Sequence, residues 1–126
     1  MKMWPKSTLA QIIEADDLKV APFREDGTTY GTPTWIWCVE VDGKLFVRPW
    51  NGLQSRWFRA AIGQKAGRII AAGQTFDVTF SKADPSFDDS IDAAYRTKYE
   101  GKEYLPDMIG AGPREASVEI TLLGSA

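Results

Sequence analysis

The strongest constraint on the fold is a hairpin signal in the stretch TPTWIWCVEVDGKLFVRPW. Two runs of β-branched and aromatic residues flank Asp42-Gly43, a dipeptide typical of two-residue β-turns. The turn predicts a register in which Val39 faces Phe46. Side chains then alternate between two faces. One face carries Trp35, Trp37, Val39, Phe46, Arg48 and Trp50, and the other carries Ile36, Cys38, Leu45 and Val47. Because both faces are largely apolar, we expect the hairpin to be covered on both sides, as in a barrel packed against helices.

The remaining pattern predicts three helices and further strands. Apolar periodicity predicts helices at Thr8–Asp16, at Arg56–Ile62 and from Asp88 or Asp89 to Tyr99. Thr8 and Gln11 are expected to form a capping box at the first helix. Alternation and turn signals predict strands at Leu18–Arg24, Arg68–Ala72, Thr75–Ser81 and Ala116–Leu123. The segment GKEYLPDMIGAGP is expected to be irregular. This order fits a small closed or half-closed antiparallel barrel with inserted helices.

Composition narrows the chemistry that the chain can perform. The 126 residues contain no histidine and one cysteine, Cys38. Ser–His and Cys–His nucleophile pairs and imidazole zinc sites are therefore excluded, and an enzyme would depend on other side chains or on a cofactor. Cys38 is expected to be a buried structural thiol. The acidic run Asp84–Asp92 lacks EF-hand spacing, so no metal site is predicted.

Charge and hydropathy bear on partners and location. A net charge of −2 and a pI near 5.1 argue against a general nucleic-acid binder. No apolar run reaches the length of a membrane span, and the start MKMWPKST lacks the apolar core of a signal peptide. A single cysteine is compatible with a reducing compartment. We expect a cytoplasmic protein that binds neither nucleic acid nor membrane.

The stretch VRPWNGLQSRWFRAA is the best candidate for a binding site. Arg48 at a strand end, and Ser55 with Arg56 at a helix start, would supply positive charge and backbone N–H donors for a phosphate. Trp50 would add a flat apolar wall for an aromatic ring.

The same residues have a purely structural interpretation. Arg48 would then stack on Trp37. Ser55 would only cap the helix, and Arg56 and Arg59 would be solvated. The tyrosines of the third helix and its end are expected to pack in the core with their hydroxyls at the surface: Tyr95, Tyr99 and Tyr104.

Three blocks of the sequence resemble a known family. The blocks are DGTTYGTPTWIWCVEVDGKLFVRPWNG…SRWFRAA, AGRIIAAGQTFDVTF and IDAAYRTKYEG. They look like the bacterial domain-of-unknown-function family numbered 2255, from about Leu18 to Tyr104. That family resembles the flavin- and deazaflavin-binding split barrels of the pyridoxamine-phosphate-oxidase-like group. The resemblance implies a mainly β (α+β) fold, a six-stranded antiparallel split barrel with three flanking helices. The length of the chain predicts that residues 1–126 form one domain.

The resemblance also implies a site. In those split barrels the cofactor phosphate lies near the strand end that matches Leu45–Arg48 and the start of the next helix. The residues implied for FMN or deazaflavin binding are Arg48, Ser55, Arg56 and Arg59, with Trp50 beside them and the ring along the strand that contains Trp35. An oxidoreductase that forms a homodimer is then expected, with hydride transfer by the ring. No catalytic residue is assigned.

One difference from the split barrels supports an alternative function. Pro49 and Trp50 stand where the flavin-binding relatives often carry small hydroxylic or basic residues. The chain would then be a non-catalytic barrel that has lost the cofactor and binds a small aromatic or anionic ligand. The residues alone do not choose between the two functions.

Overall fold

The computed structural model describes residues 4–103 and 105–123. Seven antiparallel strands form one sheet there, in the spatial order β2-β1-β5-β6-β7-β4-β3. They are β1 Lys19–Pro22, β2 Thr34–Trp35, β3 Cys38–Val41, β4 Lys44–Val47, β5 Ala66–Ala71, β6 Gln74–Lys82 and β7 Val118–Leu122. The predicted number of six is wrong because Thr34–Trp35 leaves the hairpin and forms a short strand of its own. Trp35 pairs with Lys19 of β1.

The two edges of the sheet are formed by strands that are consecutive in sequence. β2 and β3 lie at opposite ends of the strand order, yet only Ile36 and Trp37 separate them. Three residue steps span at most about 11 Å, so the two edges must lie close together. The sheet is therefore curled into a half-barrel, and the segment Trp35–Cys38 is the seam where its edges meet. The Ile36 N–H donates to the Leu18 carbonyl oxygen (3.0 Å), which holds the seam to the start of β1.

The central hairpin has the predicted register. Val39 is opposite Phe46 across β3 and β4. Asp42 and Gly43 both have positive φ (52° and 77°), as a two-residue type I′ turn requires. The two faces of the hairpin enter two different apolar clusters. The prediction that both faces are covered is confirmed for β3 and β4, whereas Trp35 and Trp50, predicted on one of these faces, are exposed.

Helices lie on both sides of the hairpin. The longer ones are α1 Lys6–Ala15, α2 Arg56–Gln64 and α3 Asp88–Lys98, and two short ones follow, α4 Leu105–Met108 and α5 Ala111–Glu115. The prediction of three helices is wrong, because α4 and α5 begin in the segment GKEYLPDMIGAGP, which was expected to be irregular. Pro106 and Pro113 lie in the first turns of α4 and α5, where a missing N–H leaves no helical hydrogen bond unmade.

The starts of two helices also differ from the prediction. α1 begins at Lys6, after Pro5, with no side-chain capping bond, so Thr8 lies inside the helix and does not cap it. α3 is preceded by Phe87, and Asp88 and Asp89 occupy its first turn instead of its cap. Acidic side chains there are still favourable, because they face the positive end of the helix dipole.

The larger apolar cluster lies between the sheet and the helices α1 and α2. Its buried members include Leu9, Ile12, Phe58, Ala61, Val20, Ile69, Val78 and Ile120. The smaller cluster packs α3 and α4 onto the other face of the hairpin, through residues that include Val39, Phe46, Ile91, Tyr95, Tyr99 and Met108. Within the described residues, no helix is both long and apolar enough to span a bilayer.

Candidate functional site

A small cavity lies at the seam of the sheet. It has a volume of about 170 Å³ and is lined by Trp35, Ile36, Trp37, Arg48, Trp50 and Met108. Two of its indole side chains are well exposed, Trp35 by 60 % and Trp50 by 56 %. Three of the six predicted site residues, Trp35, Arg48 and Trp50, therefore meet at this tryptophan cavity.

The indoles of the cavity are held in different ways. Trp37 stacks on Tyr99, the residue that follows α3, with ring centroids 4.0 Å apart and planes 6° from parallel. Trp35 projects from the edge strand β2, and its indole N–H donates to the main-chain oxygen of Asp16 (3.4 Å). Trp50 follows β4 in the turn that leads to a 3₁₀ segment, Gly52–Gln54. The wall at Trp37 is therefore fixed by the core, whereas the other two indoles form an exposed rim.

Arg48 is fully buried beside this cavity. Its N–H groups donate to four acceptors: Ser117 Oγ (2.8 Å), Asp92 Oδ1 (2.5 Å), Met108 O (3.2 Å) and Asp88 O (3.2 Å). These bonds use most of the donors of a guanidinium group. The guanidinium also lies over the ring of Tyr95, 5.4 Å from its centroid, and not over Trp37 as the structural interpretation supposed. Arg48 thus joins the end of β4 to α3, α4 and β7.

The carboxylate of Asp92 is shared between two arginines. One oxygen accepts from Arg48, and the other accepts from Arg114 of α5. Arg114 also contacts Asp89 (2.9 Å) and Asp88 (3.8 Å). The hydrogen bond to Asp89 is the main cause that raises the pKa of Arg114. These two arginines and three aspartates form an ionic corner with a formal charge of −1, which leaves no surplus positive charge in it.

The other three predicted site residues do not reach the tryptophan cavity. Ser55 is buried at the start of α2, and its side chain makes no capping bond. Arg56 and Arg59 are exposed and line a separate open cavity of about 470 Å³. The intervening 3₁₀ turn packs tightly on α5, since a Cβ at Gly52 (φ +61°) would lie 3.0 Å from a main-chain oxygen of that helix. Of the six predicted site residues, three therefore line the tryptophan cavity, two line the other cavity, and Ser55 lines neither.

A second polar cluster, the seam cluster of Asp16, Cys38, Lys98 and Tyr99, closes the seam and was not predicted from the sequence. The Tyr99 hydroxyl donates to Asp16 Oδ1 (2.6 Å) and accepts from the Cys38 N–H (3.1 Å). The Lys98 ammonium donates to the Cys38 carbonyl oxygen (2.7 Å) and pairs with Asp16 (3.2 Å). The end of α1, the start of β3 and the end of α3 are joined in this way.

Burial disfavours the ionised forms of Cys38, Tyr95 and Tyr99, so these side chains are protonated at neutral pH. Desolvation raises the pKa of the Cys38 thiol to about 11 and raises the pKa of Tyr95 and Tyr99 well above the ordinary tyrosine value. The expectation of hydroxyls at the surface is wrong for both tyrosines, because Tyr95 donates to the Trp37 carbonyl oxygen (3.1 Å) and Tyr99 donates to Asp16. Tyr104 lies outside the described residues. The buried thiol fits the structural role that was expected for it.

The block IDAAYRTKY contains the signal that would have indicated these contacts. Asp92, Tyr95 and Tyr99 follow one another at helical spacing. Their hydrogen-bond partners are Arg48, Trp37 and Cys38, which lie in the hairpin or directly next to it. A polar stripe on an otherwise apolar helix face indicates buried hydrogen bonds. Its partners could not be named, because they lie in distant parts of the chain.

Comparison with known proteins places the chain in a family. Residues 8–120 match the sequence profile of a family described as uncharacterised proteins conserved in bacteria (DUF2255). The chain belongs to this family. None of the curated proteins matches the sequence significantly. The matched region contains the tryptophan cavity, the ionic corner and the seam cluster, so each of these lies within the part of the chain that the family shares.

The arrangement at Arg48 does not suit the phosphate of FMN or of a deazaflavin. A phosphate needs donors and positive charge directed toward it, but the donors of Arg48 are directed at Asp92 and its neighbours. Arg56 and Arg59 face a different cavity. Over the described residues, no group of three or more Cys, Asp or Glu is placed to hold a metal ion.

Proposed function

We propose that this protein binds a small molecule in the tryptophan cavity without catalysing a reaction on it. The observation that carries the proposal is the convergence of three indoles and a methionine on one cavity at the seam. Tryptophan is a residue of recognition surfaces, because it offers a large rigid apolar face. Two of these indoles are exposed although the core beside them is closely packed.

The volume of the cavity limits what can enter it. An engineered apolar cavity of about 150 Å³ accepts benzene, whereas pockets for drug-sized ligands begin near 300 Å³. At about 170 Å³, the cavity suits a single ring or an apolar group of similar size. A larger ligand would insert this group between Trp35 and Trp50 and leave the rest in solvent.

The groups around the cavity support binding without chemistry. General acid–base catalysis at neutral pH needs a group that titrates near pH 7. The nearby thiol of Cys38 and the phenol of Tyr95 have raised pKa values, so both stay protonated there. Arg48 and Asp92 are paired to each other.

A flavin- or deazaflavin-dependent oxidoreductase is the second candidate. It is favoured by the resemblance to split barrels and by the meeting of Trp35, Arg48 and Trp50 at one cavity. This function would require Arg48 to exchange Asp92 for a phosphate, which is why we rank it second. The same resemblance favours a homodimer, and sedimentation of the purified protein tests it. A location in the cytoplasm is a separate part of the proposal and rests on the single cysteine, which is compatible with a reducing compartment.

Fluorine NMR of protein labelled with 5-fluorotryptophan tests the proposal directly, because each of the five tryptophans gives its own signal. Indole and FMN serve as probes. We expect indole to shift the signals of Trp35, Trp37 and Trp50, and to leave that of Trp4, which is buried in the larger cluster, unchanged. Saturable FMN binding with a flavin absorption band would favour the oxidoreductase instead.

Two variants sharpen this experiment. Trp35→Leu should weaken indole binding at least several-fold, because it removes one side of the rim. Leu53→Ala is the matched control, since Leu53 is an exposed apolar residue (44 %) that lines another cavity. The proposal is wrong if no probe shifts the three cavity signals, or if Leu53→Ala weakens binding as much as Trp35→Leu.

A further inference from the structure

We infer that the group entering the tryptophan cavity carries a positive charge without N–H donors, as a quaternary ammonium or an N-alkylated ring does. This inference rests on the proposed function and specifies its ligand class. It follows from the hydrogen-bonding capacity of the cavity walls, from the indoles that line the cavity and from the charges behind them.

The walls offer little to an anion. A carboxylate or phosphate binds through N–H or O–H donors aimed at it. The donors of Arg48 are directed at Asp92 and three other internal acceptors. The indole N–H of Trp35 is directed at the Asp16 main-chain oxygen. An anion in the cavity would therefore lose its water shell without gaining the donors of Arg48 or Trp35 in return, which is unfavourable.

The walls are less suited to a primary amine than to a quaternary one. An ammonium group needs acceptors for its N–H bonds when it leaves water. The Trp37 and Met108 carbonyl oxygens each already accept one internal bond, from Tyr95 and from Arg48, so each offers at most its second lone pair to the three N–H bonds of an ammonium. A quaternary nitrogen has no N–H bonds to satisfy, so its transfer into the cavity leaves no hydrogen bond unmade.

Indole faces attract such a cation. The face of an indole ring has negative electrostatic potential, and tryptophan is the side chain that attracts cations most strongly through its ring. Three indoles line this cavity. A cation that touches more than one of them gains from each ring.

The charges behind the walls do not oppose the cation. Arg48 is the positive side chain that lines the cavity, and Asp92 opposes its charge at 2.5 Å. The ionic corner as a whole has a formal charge of −1. On the other side, Trp35 contacts the main-chain oxygen of Asp16, whose carboxylate is paired with Lys98 (3.2 Å), so this pair adds no net charge. The entire chain has a net charge of −2.

A matched pair of ligands tests the charge. Choline and 3,3-dimethylbutan-1-ol have nearly the same shape, but only choline is a cation. We expect choline to bind the intact protein more tightly, by about 2-fold to about 30-fold, the range that cation–π attraction supplies. Titration is followed by the fluorotryptophan signals of the cavity, with indole as a neutral aromatic probe.

The outcomes separate the inference from the proposed function. If the neutral alcohol or indole binds at the cavity and choline binds no more tightly than the alcohol, the charge inference is wrong and the proposed function stands. If none of the three probes shifts the cavity signals, both are wrong. If choline binds best, Trp50→Phe should retain the preference for choline and Trp50→Leu should reduce it, because only Phe keeps an aromatic face. Equal effects of the two variants would contradict a cation–π origin.

Discussion

Arg48 and Arg59 come from one short stretch of sequence and were expected to serve the same phosphate, yet their environments are opposite. Arg48 is fully buried and bonded to four internal acceptors, whereas Arg59 is exposed on α2. The difference arises from Asp92, which α3 brings against the end of β4. A basic residue beside a cavity is therefore a structural residue when the fold supplies its counter-charge.

The tryptophans show the same contrast. Trp37 stacks on Tyr99 and belongs to the interior, whereas Trp35 and Trp50 expose more than half of their surface. Burying an indole contributes favourable free energy, so an indole left at a rim gives up stabilisation that the fold alone could have gained. The interior residues should thus govern stability, and the rim residues should govern binding.

The largest expected effect lies at the ionic corner. Arg48→Met should lower the free energy of unfolding by about 3–5 kcal/mol, because it removes one partner of a buried ion pair and leaves several acceptors unsatisfied. Arg59→Met is the matched control and should change the free energy by less than about 0.5 kcal/mol. Urea unfolding of both variants measures the difference, and similar values would remove the distinction between the two arginines.

The next effect is a loss of stability in alkali. The folded pKa of Cys38 is about 11, above its ordinary value of 9.0, because burial disfavours the thiolate. The unfolded chain therefore loses this proton first as the pH rises. The stabilisation is complete below about pH 9 and is lost between about pH 9 and pH 11, by about 2–3 kcal/mol in full.

The raised pKa values of Tyr95 and Tyr99 act in the same direction at higher pH. Urea unfolding at pH 7.5, 9 and 10.5 should show the decline, and Cys38→Ala should make it shallower whatever its effect at pH 7.5. A variant with an unchanged slope would show that the thiol is not shielded from water in the folded protein.

A smaller effect is expected at the seam cluster. Tyr99→Phe should lower the free energy of unfolding by about 1–2 kcal/mol, since it removes the acceptor of the buried Cys38 N–H and the donor to Asp16. Tyr30→Phe is the control, because the Tyr30 hydroxyl contacts Asp77 at an exposed position (3.2 Å). Thermal unfolding measures the difference, and Tyr99→Phe should lower the Tm more than Tyr30→Phe does. A larger decrease in Tm for Tyr30→Phe would contradict the assignment of the seam as interior.

The smallest change in stability is expected at the rim. Trp35→Leu should lower the free energy of unfolding by less than about 1 kcal/mol, because 60 % of the side chain is already exposed. The same variant should nevertheless lose most of the binding of indole or choline. If instead it unfolds as readily as Arg48→Met, the rim belongs to the core and the contrast between the two regions fails.

What could be predicted from the sequence was local. The Asp42-Gly43 turn fixes the register of β3 and β4 within a few residues, and the spacing of Ile91 and Tyr95 identifies the inner face of α3. The two-residue strand β2 was not predicted, because it is defined by pairing with β1 and not by its own pattern.

The composition of the site was predicted only in part. Trp35, Arg48 and Trp50 lie at one cavity, although Trp35 belongs to β2 and Trp50 to the turn after β4, so the curl of the sheet and not the hairpin alternation brings them together. Asp92, the partner of Arg48, is 44 residues away in sequence. Asp88 and Asp89 are close to Asp92 and have the same side chain, so no local pattern identifies Asp92 as the partner. Arg56 and Arg59 are separated from the cavity by the packing of a 3₁₀ turn on α5, which depends on tertiary contacts.

The seam also bears on whether a strand of another chain can pair with the edge of the sheet. Free strand edges are templates for aggregation, and short or covered edges reduce that hazard. Here one edge strand has two residues and the other has four. The outward N–H and carbonyl oxygen of Cys38 are bonded by Tyr99 and Lys98, two side chains of the same molecule. The end of α3 thus occupies hydrogen-bonding positions that a strand from a neighbouring chain would otherwise take.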